Sequence, residues 1–257
     1  MDSQILKVMS YNIQVGISTR TPHHYLTHSW KHVLPHSQRI ANLDRVARLL
    51  GDFDLVGLQE VDAGSLRSNY INLAEYLAHK AGFPFWYHQV NRNIGHFAKH
   101  SNGLLSRFQP VEINDIPLPG LIPGRNAIMA RYGTGEESLG VFMLHLALSR
   151  RARMRQLAMI SEQVNEFRHV ILMGDMNCRT GSPEMKLLFK RTRLREPLEE
   201  TFTFPSWRPS HHIDHILVTP ELKVQAVHAL QHAYSDHLPI VMELVLPKSI
   251  QMIRVAA

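Results

Sequence analysis

Short apolar runs that finish on a polar or acidic residue recur along this chain, separated by stretches with helical spacing. Ile5–Tyr11 stops at Asn12, and Leu55–Leu58 stops at Gln59 and Glu60. Val170–Met173 runs through Gly174 into Asp175 and Asn177. Runs of this length bounded by turn formers read as strands buried on both faces. The pattern predicts strands at Ile5–Tyr11, at Leu55–Leu58, across FPFWYHQV, and at Gly103–Ser106, Ala127–Arg131, Leu139–Leu146, His169–Met173, Ile216–Val218 and Pro239–Val245. Helical spacing of Ile40, Leu43, Val46, Ala47 and Leu50 predicts a helix over Ser37–Leu50, stopped by Gly51. Further helices are expected over Ile71–Lys80 and Arg151–Phe167, and one starts at Met185–Phe189, with Ser182 as its cap and Pro183 in the first turn. Alternating strands and helices without an internal repeat or a low-complexity linker indicate an α/β fold, with residues 1–257 expected to form one domain.

Composition adds a direction. Of 257 residues, 44% are hydrophobic, enough for a substantial core. Lys and Arg number 28 against 22 Asp and Glu, a formal charge of +6, which favours an anionic partner such as nucleic acid, a phosphorylated metabolite or an anionic membrane surface. The competing reading is a solubilising surface charge. The lone Cys178 excludes an internal disulfide and fits a reducing compartment. No basic segment precedes a long apolar stretch at the N-terminus, and no run approaches the length of a membrane span, so a cytoplasmic location is expected.

The chemistry lies at the strand ends. Asn12, Glu60, His145, Asp175 with Asn177, Asp214, and Asp236 with His237 each stand at the edge of an apolar run. Each alone has an ordinary explanation as a turn former, a cap or a solvated end. Six such sites on successive strands are far harder to account for in that way.

In the order SYNIQ, LQEVD, NGLLSR, LHLALS, GDMN, HIDHILV and SDHLPIV, the chain resembles the endonuclease/exonuclease/phosphatase superfamily of divalent-metal phosphoesterases, from Ile5 to about Leu246. The resemblance implies a four-layered α/β sandwich, two packed mixed sheets flanked by helices, with the site at one end. It implies a phosphoesterase dependent on Mg²⁺ (or Mn²⁺), with water attacking phosphorus and no covalent enzyme intermediate. A hard cation takes oxygen ligands and keeps several waters, so a few carboxylates and an amide suffice to hold it. Glu60 is the leading ligand, with Asn12 and Asp236 contributing directly or through water. His237 paired with Asp214 is an oriented imidazole able to hold the phosphate or exchange a proton. Asp175 is a candidate base, Asn177 would orient the water or donate to a phosphoryl oxygen, and His145 would act on the phosphate or the leaving oxygen. Whether Asp175 or the Asp214–His237 pair takes the proton stays open, as does the number of ions. Because Asp236 and His237 are adjacent, both can serve one site only from an irregular lead-in to the last strand.

Asn102 and Arg125 are expected to touch the substrate phosphate, Arg125 having a surface turn as its alternative. Asn102 follows His-Ser where family members often carry a Gly-Asn pair. His24, His28, His32 and His36 recur every four residues, but Pro35 interrupts the helix and no Glu accompanies them; a loop or short helix over the site mouth is expected rather than zinc. Phe85, Trp86 and Tyr87 are assigned to the core, Trp207 to the rim, and the RRARMR stretch to the solvated side of a helix. A thiol nucleophile at Cys178 lacks a recognisable base. The substrate spans DNA, RNA, phospholipid head groups and inositol phosphates, with nucleic acid favoured by charge. A monomer is expected, and the rival reading is a phosphate-binding protein without catalysis.

Overall fold

The computed structural model describes residues 4–17, 38–120, 124–197 and 201–255. The four histidines at 24, 28, 32 and 36 lie outside the described residues. Among the described residues eleven strands and four α-helices follow one another: β1 (Ile5–Asn12), α1 (Gln38–Leu50), β2 (Leu55–Asp62), α2 (Leu73–Ala81), β3 (Phe85–Ile94), β4 (Ala98–Ser106), β5 (Glu112–Pro117), β6 (Asn126–Tyr132), β7 (Leu139–His145), α3 (Arg150–Val164), β8 (His169–Asp175), α4 (Pro183–Arg191), β9 (Asp214–Val218), β10 (Lys223–Ala229) and β11 (Ile240–Val245). The helix ends have local causes. The Asn72 side chain accepts from the amides of Ala74 and Glu75, and Gly82 closes α2 in the left-handed conformation. The Ser182 side chain caps α4, with Pro183 in its first turn.

The strands form two mixed sheets, one ordered β10-β11-β1-β2-β4-β3 and the other β5-β6-β7-β8-β9. Leu6, Val8, Leu55 and Met242 of the first sheet pack against Ile128, Val141, Ile171, Met173 and Ile216 of the second, and these fully buried side chains form the central core. Two further cores lie outside the sheets. Leu43, Val46, Leu73 and Leu77 of α1 and α2 cover one outer face, and Leu157, Ile160, Met185 and Leu188 of α3 and α4 cover the other. The result is a four-layered α/β sandwich.

Two parallel pairs determine where polar residues can gather. β1 runs parallel to β2 and β7 parallel to β8, each pair joined across a helix. Parallel strands end on the same side, so Asn12 pairs with Gln59 in one sheet and His145 pairs with Asp175 in the other. β9 is antiparallel to β8 with Asp214 opposite Asp175, and β11 is antiparallel to β1 with Ile240 opposite Ser10. The starts of β9 and β11 therefore arrive where the parallel strands stop.

Two strands were not apparent in the sequence, β5 and β10, and both are sheet edges. Their side chains are mostly half-exposed or exposed, so they carry little of the apolar signal of the inner strands. The aromatic run divides as a strand should: Trp86 packs on the α1–α2 core and Tyr87 on the central core. Arg153 of the RRARMR stretch braces the outer layer through Glu184 (2.6 Å), while Arg150, Arg151 and Arg155 are exposed.

Candidate active site

Strand alternation explains which side chains enter the space between the sheets. Leu6 and Val8 of β1 face the second sheet, so Asn12 does as well; Val141 and Met143 carry His145 inward, and Ile171 and Met173 carry Asp175. Ile216 and Val218 place Asp214 on the same face. Glu60 breaks the rule. In β2, Gly57 faces Met143 and Met173 across the core, whereas Leu58 packs on the helix side. Simple alternation would turn Glu60 toward the helices. Instead the β2–β4 register shifts between Leu58 and Val61, and Glu60 has a left-handed backbone at φ 55°. The bulge re-aims its carboxylate into the cleft, 4.0 Å from His145 Nε2 in the opposite sheet.

The predicted residues meet. Asp175 Oδ2 lies 3.2 Å from Asn12 Nδ2, 3.5 Å from His145 Nε2 and 3.9 Å from His237 Nε2. Its other oxygen accepts the amide of Asn177 at 2.9 Å, and Asn177, itself left-handed at φ 51°, donates its side-chain amide to Leu146 O at 3.0 Å. His237 Nδ1 is 2.8 Å from Asp214 Oδ2. Asp236 and His237 do lie on the irregular lead-in to β11 rather than in the strand.

Sequence reasoning missed the residues that hold this group. Thr203 donates to Asp214 Oδ2 at 2.5 Å, Phe204 packs its ring 4.8 Å from that of His237, and Ser206 donates its amide to Asp236 O. All three come from the irregular 201–211 stretch, which has no periodicity to read. Trp207 is half-buried beside Ser206. Gln59 was legible as a polar strand end; it is fully buried and donates to Ser10 Oγ at 3.2 Å.

Some predicted residues sit differently from a simple ligand picture. Asn12 turns its nitrogen toward Asp175, while its oxygen accepts the Gln14 amide at 3.1 Å. Asn102 is fully buried and donates to Asn126 O at 3.3 Å, tying β4 to the residue that follows Arg125. Arg125 is half-buried and couples electrostatically to Glu60 and Asp175. Cys178 is buried, and burial first of all pushes its thiol up to about 11, far from a reactive thiolate.

Four carboxylates, Glu60, Asp175, Asp214 and Asp236, share this end of the sandwich. Burial raises the pKa of Glu60, and the neighbouring Asp236 adds to the rise. Burial also raises Asp175, with Asp214 adding and His237 opposing. Burial disfavours charge on His237, but Asp214 outweighs it, helped by Asp175 and Asp236, and holds the imidazole up at about 10. It is therefore a cation at neutral pH. Burial, and then the charge of Arg125, press His145 well below its ordinary value, so that ring is neutral. His100, which had no role in the sequence reading, is likewise pushed down, to about 4, by burial and by Arg67.

The donor set fits a hard divalent cation. The carboxylates repel one another across the cleft, His237 and Arg125 offset only part of the negative charge, and the buried Oδ1 of Asp214 makes no hydrogen bond. Glu60 has a side chain 37% exposed, the accessible oxygen donor of the group.

A sequence profile of the Endonuclease/Exonuclease/phosphatase family matches residues 9–237. No curated protein matches the chain at the level of sequence. Among solved structures, an endonuclease/exonuclease/phosphatase from Beutenbergia cavernae is 21% identical over 95% of this chain and 72% of its own, with a TM-score of 0.73. The mannosyl-6-phosphatase Bt3783 of Bacteroides thetaiotaomicron is 19% identical over 93% of this chain and 99% of its own, at 0.69. ANGEL2, a 2′,3′-cyclic phosphatase, is 15% identical over 95% of this chain and 96% of its own, also at 0.69. At these identities the structural likeness shows the fold, while the profile match spans most of the chain. The chain belongs to the endonuclease/exonuclease/phosphatase family of phosphoester hydrolases.

Proposed function

We propose that this protein hydrolyses phosphate esters with the help of Mg²⁺ or Mn²⁺, by direct attack of water on phosphorus. One observation carries the reading: four carboxylates, a cationic and a neutral imidazole, and an arginine converge from both sheets on a single cleft. Glu60 would hold the cation, with Asp236 and the Asn12 amide beside it. When bound, the cation offsets the charge of the phosphate and of the departing oxygen.

The proton assignment follows from charge. His237 is already protonated and fixed by Asp214, so its Nε2–H serves as a donor to a phosphoryl oxygen rather than as a base. Asp175, whose carboxyl is raised toward neutrality and anchored by the Asn177 amide, takes the proton of the attacking water. Asn177 orients that water. Neutral His145 faces Asp175 and Glu60, placed to donate to the phosphate or leaving oxygen. Arg125, set by the Asn102–Asn126 bond, contributes positive charge to the phosphate side of the cleft.

The +6 charge favours a phosphodiester in a polyanion such as DNA or RNA. A phosphatase or phospholipase-C-like activity on inositol phosphates or phospholipid head groups uses the same machinery. The lone, unpaired Cys178 supports a cytoplasmic setting, and we take the chain to act as a monomer. The test is turnover of bis(p-nitrophenyl) phosphate with Mg²⁺ or Mn²⁺, then with EDTA, alongside a panel of intact and abasic DNA, RNA, sphingomyelin and phosphoinositides. Chelator-sensitive turnover supports the reading; inactivity on every substrate would favour a phosphate-binding protein.

A further inference from the structure

A second cluster lies behind the cleft, on the other face of the same strand. Asp214 and His215 are neighbours in β9, so Asp214 enters the space between the sheets and His215 turns toward the outer α3–α4 layer, on the side of Leu217. There His215 meets Glu196 and His212. Both histidines are fully buried, and Glu196 has only 4% of its side chain exposed.

Hydrogen bookkeeping makes the cluster unusual. His215 Nε2 is 2.8 Å from Cys178 O, and a carbonyl only accepts, so that nitrogen carries the hydrogen. His215 Nδ1 lies 2.7 Å from Glu196 Oε1: with a hydrogen there the ring is a cation paired to the carboxylate, the state that Glu196 favours against burial, and without one the nitrogen presents a lone pair. Thr180 Oγ1 donates to Glu196 Oε2 at 2.6 Å, which leaves its lone pairs to face His212 Nδ1 at 3.5 Å. With its hydrogen on Nδ1, His212 turns a lone pair from Nε2 onto the same Oε1, 3.2 Å away; with the hydrogen on Nε2 it faces Glu196 as a donor. That nitrogen is buried and makes no hydrogen bond. Three potential donor atoms thus face one another in a buried spot, where either a proton on His215 or a metal ion supplies the positive charge between them.

We propose that Glu196, His212 and His215 form a three-donor binding site for a single divalent ion of the Zn²⁺ type, separate from the phosphate cleft. The donor atoms lie within 4.8 Å of one another. Zn²⁺ binds imidazole nitrogen at about 2.0–2.1 Å, which sets tetrahedral donors about 3.3 Å apart; the 3.2 Å His212–Glu196 edge matches this, the 2.7 Å His215–Glu196 edge would open by roughly 0.6 Å, and the two imidazoles, stacked with planes 25° apart, would turn toward the ion. Two nitrogens and one carboxylate suit Zn²⁺ better than the oxygen-seeking Mg²⁺. The outer partners are already in place, with Cys178 O on His215 and Thr180 Oγ1 on both His212 and Glu196. Bound there, the ion ties the 176–180 loop, which presents Asn177, to the start of β9, which presents Asp214.

The test uses untagged protein passed over a chelating resin, with metal content measured by mass spectrometry and with a Co²⁺ titration followed by its visible absorption. The expected result is one retained zinc per chain and a Co²⁺ band of low-coordinate intensity. The band should persist in Glu60→Gln, which removes the cleft donor, and vanish in His212→Ala. Glu196→Gln keeps the size and a hydrogen bond to His215, so it supplies the same comparison if the alanine variant fails to fold. Thr180→Val should weaken metal affinity by about 10–100-fold. Absence of a low-coordinate Co²⁺ band in the wild type, or a band unchanged in Glu196→Gln, would overturn the proposal.

Discussion

Gly174 offers a sharp perturbation of the site, because it stands directly before Asp175 and opposite Leu144 in the β7–β8 pairing. Its φ is 144°, a backbone that L side chains rarely adopt, and a Cβ there would sit 1.9 Å from Leu144 O. Real contacts of that kind stay above 3.0 Å, so Gly174→Ala must part the strands by roughly 1.1 Å. The displacement falls between His145 and Asp175, whose Nε2 and Oδ2 are 3.5 Å apart. A misplacement of about 1 Å at reacting groups lowers the rate by about 10²-fold. Residual backbone strain of about 1–3 kcal/mol lowers the melting temperature by about 2–12 °C for a chain of this size. The assay is kcat on bis(p-nitrophenyl) phosphate together with thermal melting. Gly181→Ala is the control, since nothing lies within 4 Å of its Cβ position and its backbone is ordinary. Equal kcat and melting temperature in Gly174→Ala and Gly181→Ala would show that the close approach of Gly174 to Leu144 O does not position the site.

Other substitutions separate the roles. Asp175→Asn should lower kcat by about 10²–10⁴-fold, and His237→Ala by about 10²–10³-fold, with near-UV dichroism unchanged; near-normal turnover in either would remove that residue from the mechanism. The proposed roles need Asp175 ionised and His237 protonated, so kcat/KM should fall as pH drops through the raised Asp175 value, about 7 without metal, and fall again above about 10. A bound cation moves the acid limb lower, and an acid limb surviving unchanged in a residually active Asp175→Asn would contradict the assignment. Asp62 is fully buried and accepts from six donors, the amides of Gly64, Ser65 and Lys99, the hydroxyls of Ser65 and Ser68, and Arg67 Nε. Burial alone would raise its pKa, but Arg67 and the hydroxyls hold it low. Asp62→Asn should cost about 3–5 kcal/mol at neutral pH by leaving Arg67 buried and unpaired. The deficit in denaturant unfolding should shrink as pH falls through the depressed carboxyl value, where the wild type loses this contribution too.

Much of the site was legible because strand alternation and chain order are sequence properties. Asn12, His145, Asp175 and Asp214 end or begin strands whose apolar positions already specify which face they occupy. Glu60 was identified by its motif, but its direction depends on a bulge that pairing alone reveals. The carboxylate of LQEVD that lies two residues on, Asp62, looks like another site acid and is instead the anchor of the 64–68 turn. Edge strands β5 and β10 escaped because their half-solvated side chains weaken the periodic signal. Thr203, Phe204 and Ser206 escaped because irregular segments have no period at all. Glu196, His212 and His215 are brought together only by tertiary packing, so nothing in their spacing announced them.

In the proposed reaction Glu60 would hold the divalent ion on which phosphoester hydrolysis in the cleft between the sheets depends. The most direct test is the dependence of turnover on Mn²⁺ concentration for the wild type and Glu60→Gln, each first stripped with EDTA. The predicted result is no turnover without metal, full recovery on adding Mn²⁺ to the wild type, and at least about a tenfold higher half-saturating Mn²⁺ for the variant, the loss of about 1.4 kcal/mol of binding. Turnover that persists in EDTA, or an identical activation curve for Glu60→Gln, would contradict it.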